Sequence, residues 1–158
     1  MRATLAARKA GTIGTLAAAA LLALAGAASA ATPAKTVPPT TAELAAINVR
    51  ALQSDLMIAA LACDRQRQYD AAVTRHAEEL ARTSRILREM FEKSYGDAAD
   101  AELDRYVTLL ANWSSQRSMR EGDAFCRMAD SLFDAVLRLD GESLASFLAR
   151  MGAAVPGR

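Results

Sequence analysis

Apolar residues recur at steps of three and four along most of the chain beyond residue 40. Such steps place side chains on one face of an α-helix, and no segment alternates apolar and polar residues for long enough to compete as a strand. The pattern therefore predicts an all-α fold. Stripes of this width, joined by short connections, are typical of an antiparallel bundle of four to five helices around one core.

The first predicted helix begins at Thr40. Thr40 and Glu43 have the spacing of a capping box, in which each side chain accepts a hydrogen bond from the other residue's backbone N–H. The apolar stripe of this helix follows one face as far as Cys63. Its members are Val49, Leu52, Leu56, Ala59 or Ala60, and Cys63.

The second predicted helix covers about residues 66–95, after a polar run at 64–68 interrupts the apolar pattern. Asp64 is the expected N-cap, and Gly96 is the expected left-handed stop. Asp, Arg and Gln do not forbid a helix, so an unbroken helix through the polar run is the alternative. The stripe of the second helix consists of Tyr69, Val73, His76, Leu80, Leu87 and Phe91.

The third predicted helix begins at Asp97 or Asp100, either of which can cap it. Its stripe is expected to face the core along its whole length. The members of that stripe are Leu103, Tyr106, Val107, Leu110 and Trp113.

Two more helices complete the predicted bundle. Gly122 and Asp123 indicate a break followed by a cap, and Asp140 with Gly141 ends the fourth helix. The apolar face of the fourth helix contains Phe125, Cys126, Ala129, Leu132, Phe133, Val136 and Leu137. A short fifth helix presents Leu144, Phe147, Leu148 and Met151.

Residues 1–30 have the three parts of a cleavable export signal. A basic start is followed by an apolar stretch from about Ile13 to Ala25 and by small residues, which predict cleavage after Ala30. An uncleaved membrane anchor is the alternative, but the apolar run is shorter than the roughly 20 residues that a bilayer needs. No cysteine stands at the cleavage point for a lipid anchor, so we expect a periplasmic or secreted protein without a stable membrane anchor.

The mature chain then divides into three parts. Residues 31–40 are rich in Pro and Thr, which predicts a flexible, disordered lead-in. Residues 41–151 form the helical domain, and residues 152–158 form a tail. One domain is expected, because about 130 residues are too few for two ordinary cores.

The charge of the mature chain is nearly balanced. The full chain has 19 basic and 18 acidic residues, and three of the basic ones lie in the signal, which leaves 16 against 18 and a net charge of −2. Nucleic-acid binding calls for a concentrated basic face, so we expect no nucleic-acid partner.

Cys63 and Cys126 are the two cysteines of the chain. An oxidising compartment favours their union in one structural disulfide, which would tie the end of the first helix to the start of the fourth. A catalytic redox pair is the alternative. Such pairs usually lie two residues apart beside a strand-to-helix turn, which is not the spacing here.

Other candidate chemical groups have plainer explanations. His76, the single histidine, could be a ligand or a proton-transfer group, but its position favours a partly buried residue at the core edge. The arginines of the second helix alternate with glutamates, Glu78 and Arg82 falling at i,i+4, which favours a solvated face over a phosphate site. The members of this charged face are Arg75, Arg82, Arg85, Arg88, Glu78, Glu79, Glu89 and Glu92. We predict no catalytic residue, no metal site and no cofactor.

The end of the third helix is unusually polar. Its residues could line a pocket near the disulfide, although a fraying helix end is the favoured interpretation. Asn112-Trp113-Ser114 also matches the acceptor pattern for N-glycosylation, but Trp113 is expected on a packed face, so we treat the match as chance. The polar residues are Asn112, Ser114, Ser115, Gln116 and Ser118.

Three stretches resemble a group of small exported proteins of proteobacteria that are helical and have two cysteines. They are LQSDLMIAALACDRQRQYDAAV, the Tyr95-Gly96 stop and the AFC sequence at 124–126, within about residues 44–135. The group has no assigned function, so the resemblance implies export and a paired Cys63 and Cys126 but transfers no active site.

The expected function follows from location and architecture. A non-enzymatic periplasmic domain that binds a protein partner, possible partners including an envelope protein, is the first hypothesis. A small-molecule binder with a cavity among the helices is the second, since bundles commonly bind ligands there. An enzyme would need perturbed titratable groups in one cleft, and is the third.

Overall fold

The computed structural model describes residues 38–152, which are helical almost throughout and contain no strand. The all-α bundle with one disulfide is confirmed. The predicted signal, residues 31–37 of the lead-in and residues 153–158 of the tail lie outside the described residues. The elements are α1 (Thr41–Ala62), α2 (Gln66–Arg75), α3 (Ala77–Tyr95), a 3₁₀ turn (Gly96–Ala98), α4 (Ala99–Glu121), α5 (Asp123–Leu137) and α6 (Leu144–Met151).

The start of α1 has the predicted capping box. The backbone N–H of Thr40 donates to Glu43 Oε2 at 2.7 Å, and the N–H of Glu43 donates to Thr40 Oγ1 at 3.2 Å. The hydrogen bond from the Thr40 backbone lowers the pKa of the Glu43 carboxyl, as does the charge of Lys93. Lys93 Nζ, at the end of α3, lies 3.7 Å from Glu43 Oε1, so α3 runs antiparallel to α1.

The chain breaks between α1 and α2, as predicted, but Asp64 is not the cap of α2. Asp64 has a φ of +55°, and the N–H of Arg65 donates to the Ala60 carbonyl at 3.0 Å. This is the bond of a Schellman motif, in which Asp64 occupies the left-handed position that ends α1. Asp64 therefore stops one helix and does not start the next, and α2 has no side-chain cap.

The helix predicted over 66–95 is interrupted at His76, which the sequence pattern did not indicate. The φ and ψ of His76 are −106° and 19°, outside the α-helical range. Its ring Nε2 lies 3.0 Å from the Val136 carbonyl oxygen on α5. A bond to another helix holds the residue away from helical geometry, with no Gly or Pro to signal it. Counting α2 and α3 as one bent helix, the described bundle has the five helices predicted.

The predicted aspartate caps of the later helices are also wrong. Neither α4 nor α5 has a side-chain cap, and Asp97, Asp100 and Asp123 lie within the first residues of their elements. Gly122 has a φ of +52° and a ψ of −122°, a conformation essentially limited to glycine, and it both ends α4 and precedes α5. The turn is made by glycine geometry, so no cap is required to set it.

Helix α1 is the centre of the bundle, because it packs against each of the other five α-helices. A large aliphatic and aromatic core joins it to α2, α5 and α6. That core includes Val49, Leu52, Leu56, Cys63, Ala72, Phe125, Phe133, Val136, Leu144 and Phe147. The other two neighbours of α1, which are α3 and α4, also pack against one another.

The central position of α1 explains its composition. Within residues 38–152, α1 is the one helix long and apolar enough to cross a membrane by length and composition, with a mean hydropathy of 1.3 over its most apolar window. A helix that is surrounded by other helices is apolar on most of its faces. Core helices can be as long and as apolar as membrane-spanning helices. Burial in this bundle accounts for the composition of α1.

Candidate functional site: the cleft between α1 and α4

The packing of α1 against α3 and α4 contains an unusual share of buried polar groups. Ser54, Thr83 and Ser114 are buried on these three helices. Asn48 Oδ1 and the Tyr106 hydroxyl are also buried, with no hydrogen-bond partner among the described residues. Burial raises the pKa of Tyr106, while the charge of Arg50 acts in the opposite direction. Polar groups are therefore concentrated on the side of α1 that faces α3 and α4, away from the core shared with α2, α5 and α6.

Asp55 is the centre of a polar cluster on this side. Its carboxylate accepts a hydrogen bond from the hydroxyl of Ser114 on α4. Its second oxygen, Oδ2, lies 3.2 Å from Nη2 of Arg117, also on α4. A carboxylate that receives a hydroxyl and a guanidinium is well satisfied, so the three side chains link α1 to α4 in a defined arrangement.

Arg117 extends this link to α5. Its guanidinium carbon lies 5.2 Å from the centre of the Phe125 ring, and Nη2 lies 3.9 Å from the sulfur of Met128. Its Nε is 4.0 Å from Glu121, one turn further along α4. A planar guanidinium can stack on an aromatic ring while its edges bind carboxylates, which is how one side chain contacts three helices here.

A cleft of about 280 Å³ opens beside this cluster. It is lined by Asp55, Leu110, Trp113, Ser114, Gln116, Arg117 and Arg120. Trp113 is 40% exposed, and Leu109, one turn earlier on α4, is 43% exposed. We call Leu109, Trp113, Gln116 and Arg120 the α4 face. This surface combines large apolar side chains with a guanidinium and an amide.

The exposure of Trp113 corrects the sequence prediction, which placed it on the packed stripe of the third helix. Leu110 and Ser114, four residues apart, are 3% and 4% exposed, so the buried line of α4 passes through them. Asp55 supplies the partner that allows a serine to occupy the buried position. A buried face predicted from apolar residues alone therefore included Trp113 in place of Ser114 near the C-terminal end of α4.

The favoured interpretation of the polar helix end as a fraying terminus is also wrong. Helix α4 continues through the polar residues to Glu121. Ser114 and Gln116 line the cleft, and the Ser118 hydroxyl donates to the Ser115 carbonyl at 2.8 Å. The short polar side chains thus belong to a regular helix, and one of them, Ser114, has the carboxylate of Asp55 on α1 as its partner.

Cys63 and Cys126 form the predicted disulfide, with an S–S distance of 2.05 Å and a Cα–Cα distance of 5.7 Å. Arg65 lies beside it and donates through Nε to Asp130 Oδ1 at 2.6 Å and through Nη2 to Asp130 Oδ2 at 3.2 Å. It also donates to the carbonyl of Cys63. The guanidinium of Arg65 therefore joins the α1–α2 turn to α5 next to the disulfide.

His76 is buried at a core edge, as the favoured interpretation held. It lines a hollow of about 20 Å³ together with core residues of α1, α2 and α5, room for about one water molecule. Among residues 38–152, no group of three or more His, Cys, Asp or Glu side chains is arranged to hold a metal ion. The histidine therefore has a structural partner, the Val136 carbonyl.

Two members of the charged face of the second predicted helix are not merely solvated. Arg75 donates to the Leu139 carbonyl, and the Glu79 carboxylate accepts from the backbone N–H groups of Leu144 and Ala145 at 2.8 and 3.0 Å. The two bonds of Glu79 fix the start of α6. The interpretation as a solvated face is wrong for Glu79, whereas Arg75 is exposed as expected.

Asp55 and Arg117 were not selected from the sequence as site residues. One signal for Asp55 was present, since it is a carboxylate in the interior of the most apolar described helix. Such a charge requires a partner or solvent. Its partner on α4 lies about 60 positions further along the chain, which a pattern along one helix cannot reveal.

Comparisons with protein-family models, with curated proteins and with solved structures found no match to this chain. The resemblance to exported two-cysteine helical proteins therefore stays a prediction.

Proposed function

We propose that this chain is an exported helical domain of the periplasm that binds another polypeptide through the α4 face. The observation that carries the proposal is the exposure of Trp113 beside Leu109 on a helix that the adjacent Asp55–Arg117 pair anchors to α1. Tryptophan and arginine at the centre of a surface are the residues that most often dominate protein–protein binding. A rigid support for them lowers the ordering cost of association.

The proposed location is supported by the three-part signal and by the disulfide. Disulfides persist mainly in oxidising compartments, among them the bacterial periplasm. Mass spectrometry of the chain recovered from a periplasmic extract tests the location directly. We expect an N-terminus at Ala31 and no free thiol, whereas recovery of the full-length chain from the membrane fraction would contradict the proposal.

The alternatives receive less support. The hollow in the core beside His76 holds about 20 Å³, whereas pockets for small molecules usually hold about 300–1,000 Å³. Two hollows of about 300 and 390 Å³ reach that range, but exposed residues such as Pro38 and Glu78 line them, so neither is a cavity inside the bundle. For an enzyme of the serine class, a hydroxyl must meet a base. Ser114 donates to Asp55, which is engaged by Arg117, and His76 is engaged by the Val136 carbonyl, so Ser114 and His76 are not paired with one another.

Site-specific photocrosslinking in the native envelope tests the binding surface. We would replace Gln116, on the α4 face, with a photoreactive amino acid in the full chain and irradiate intact cells. We expect a discrete adduct of higher mass that is lost when Trp113→Ala is added. The matched control places the same group at Met151, an exposed apolar residue of α6. Equal adducts from both positions, or none from position 116, would refute the proposal.

A further inference from the structure

Four residues on the outer side of α4 form a stripe, and the spacing between them is the same whether it is counted from the N-terminal or the C-terminal end of the helix. Glu102, Leu109, Trp113 and Arg120 are separated by seven, four and seven residues. On an α-helix, residues seven apart are offset by about 20° and residues four apart by about 40°, so all four lie within about 40° of one another. We call these four residues the α4 stripe.

We propose that the partner of the α4 face is a second copy of this chain, bound with the two α4 helices antiparallel. This inference depends on the proposed function, since it names the polypeptide that the surface binds. A two-fold axis level with Ala111 would set Leu109 of each copy opposite Trp113 of the other. The same axis sets each Glu102 opposite an Arg120, so that the interface is isologous, as in most homodimers.

The charges at the two ends of the stripe are complementary under this symmetry. Arg120 is exposed and makes no ion pair within residues 38–152, and the side chain of Glu102 is partly exposed. Glu102 Oε1 lies 3.3 Å from Nη1 of Arg105 in its own helix. A carboxylate has two oxygens and can bind a second guanidinium, so each Glu102 can accept Arg120 of the other copy.

The antiparallel arrangement also avoids a repulsive contact between its centre and its ends. Arg105 of one copy would lie level with Arg117 of the other, but Arg117 is turned inward to Asp55 and Phe125. Arg105 is held by Glu102 on the same helix. A parallel arrangement would instead set Arg120 opposite Arg120 and Glu102 opposite Glu102, with like charges at both ends of the stripe.

A charge swap tests the symmetry. Sedimentation velocity of the mature chain is expected to show a dimer, and Arg120→Glu alone or Glu102→Arg alone is expected to weaken association at least tenfold. The double variant Glu102→Arg with Arg120→Glu should restore it, because each end regains opposite charges. Met119→Glu is the matched control, since Met119 is 74% exposed on the same helix but lies about 100° around it from Arg120.

Trp113 supplies a second readout, because it is the single tryptophan of the chain. Its fluorescence should shift to shorter wavelength as wild-type protein is concentrated, and should not shift in Arg120→Glu. A wild-type chain that stays monomeric at about millimolar concentration, or a dimer that is indifferent to the swap, would overturn the inference.

The outcome of crosslinking separates this inference from the proposed function. An adduct of twice the chain mass from position 116 supports both. An adduct with a different polypeptide, from a chain that sediments as a monomer, overturns the second-copy inference and leaves the binding function standing. Absence of both association and adduct overturns both.

Discussion

At the scale of single residues, the ionised carboxylate of Asp130 contributes to the stability of the fold, and this contribution depends on pH. The hydrogen bond from Arg65 lowers the pKa of the Asp130 carboxyl below its ordinary value of 3.8, against a smaller opposing effect of burial. A carboxyl whose folded pKa is lowered stabilises the fold above its unfolded pKa, and the contribution is lost as pH falls through the folded value. Both side chains are substantially exposed, so the effect is modest and sensitive to salt.

We therefore expect Asp130→Asn to be less stable than wild type at pH 6, and the difference to shrink as pH falls below about 4 and to vanish below the lowered pKa of Asp130. Urea unfolding of both proteins between pH 6 and 2 measures this difference. Asp134→Asn is the control, because Asp134 pairs with Arg138 in an exposed i,i+4 contact. A wild-type advantage that persists unchanged at pH 2 would contradict the prediction.

The behaviour of single residues was predictable only where the cause is local. The Thr40–Glu43 box and the glycine turns depend on neighbouring residues, and the sequence indicates them. Local rules failed at Asp64. An aspartate before a helix suggests an N-cap, but the backbone of Asp64 has the left-handed conformation that ends α1. The burial of Ser114 depends on Asp55 of another helix, so no local rule predicts it.

Helix α6, at the scale of elements, begins at a cap that comes from another helix. Glu79 of α3 accepts hydrogen bonds from two backbone N–H groups at its start, and the Ser143 hydroxyl accepts one from Ser146 at 3.1 Å. The positive end of a helix dipole favours a carboxylate at this place. The cap holds in position a short helix that buries Leu144, Phe147 and Leu148.

We expect Glu79→Ala to destabilise the protein by about 1–2 kcal/mol, because two partly buried N–H groups lose their acceptor. Hydrogen exchange of the α6 amides should accelerate more than that of α1. Glu78→Ala removes an exposed neighbouring carboxylate and serves as the control. Equal effects of the two substitutions would show that Glu79 does not act as a cap.

Element positions were largely predictable because periodic apolar residues and Gly turns mark them. The end of α3 at Gly96 and the break at Gly122 agree with prediction. The interruption at His76 was not predictable, because its cause is a bond to Val136 on α5 and its own residue type permits a helix.

The disulfide, at the scale of the whole molecule, restricts the unfolded chain over the 63 positions between its cysteines. Closure of a loop of this length stabilises a protein by about 4 kcal/mol in the chain-entropy model. The double variant Cys63→Ala with Cys126→Ala should lose about that much in urea unfolding. Reduced wild type should behave like the variant. Oxidised and reduced proteins with the same urea midpoint would contradict the expectation.

The sequence was enough to predict the all-α bundle and its disulfide, since both follow from apolar periodicity, the expected compartment and the cysteine count. It was not enough to predict the candidate site. Asp55, Ser114 and Arg117 come together only because α4 packs on the polar side of α1, and the order of packing around a central helix is not contained in the pattern of any one helix.

Two of the three charges of α1, Arg50 and Asp55, have a consequence for the proposed route of export. A chain that crosses the inner membrane unfolded brings α1 into the translocon soon after the signal, and a long apolar segment there can act as a stop-transfer sequence. Arg50 and Asp55 stand inside that segment. Each raises the cost of lateral insertion into lipid by up to about 3 kcal/mol at mid-membrane, so the residue at the centre of the cleft also favours release of the chain on the far side.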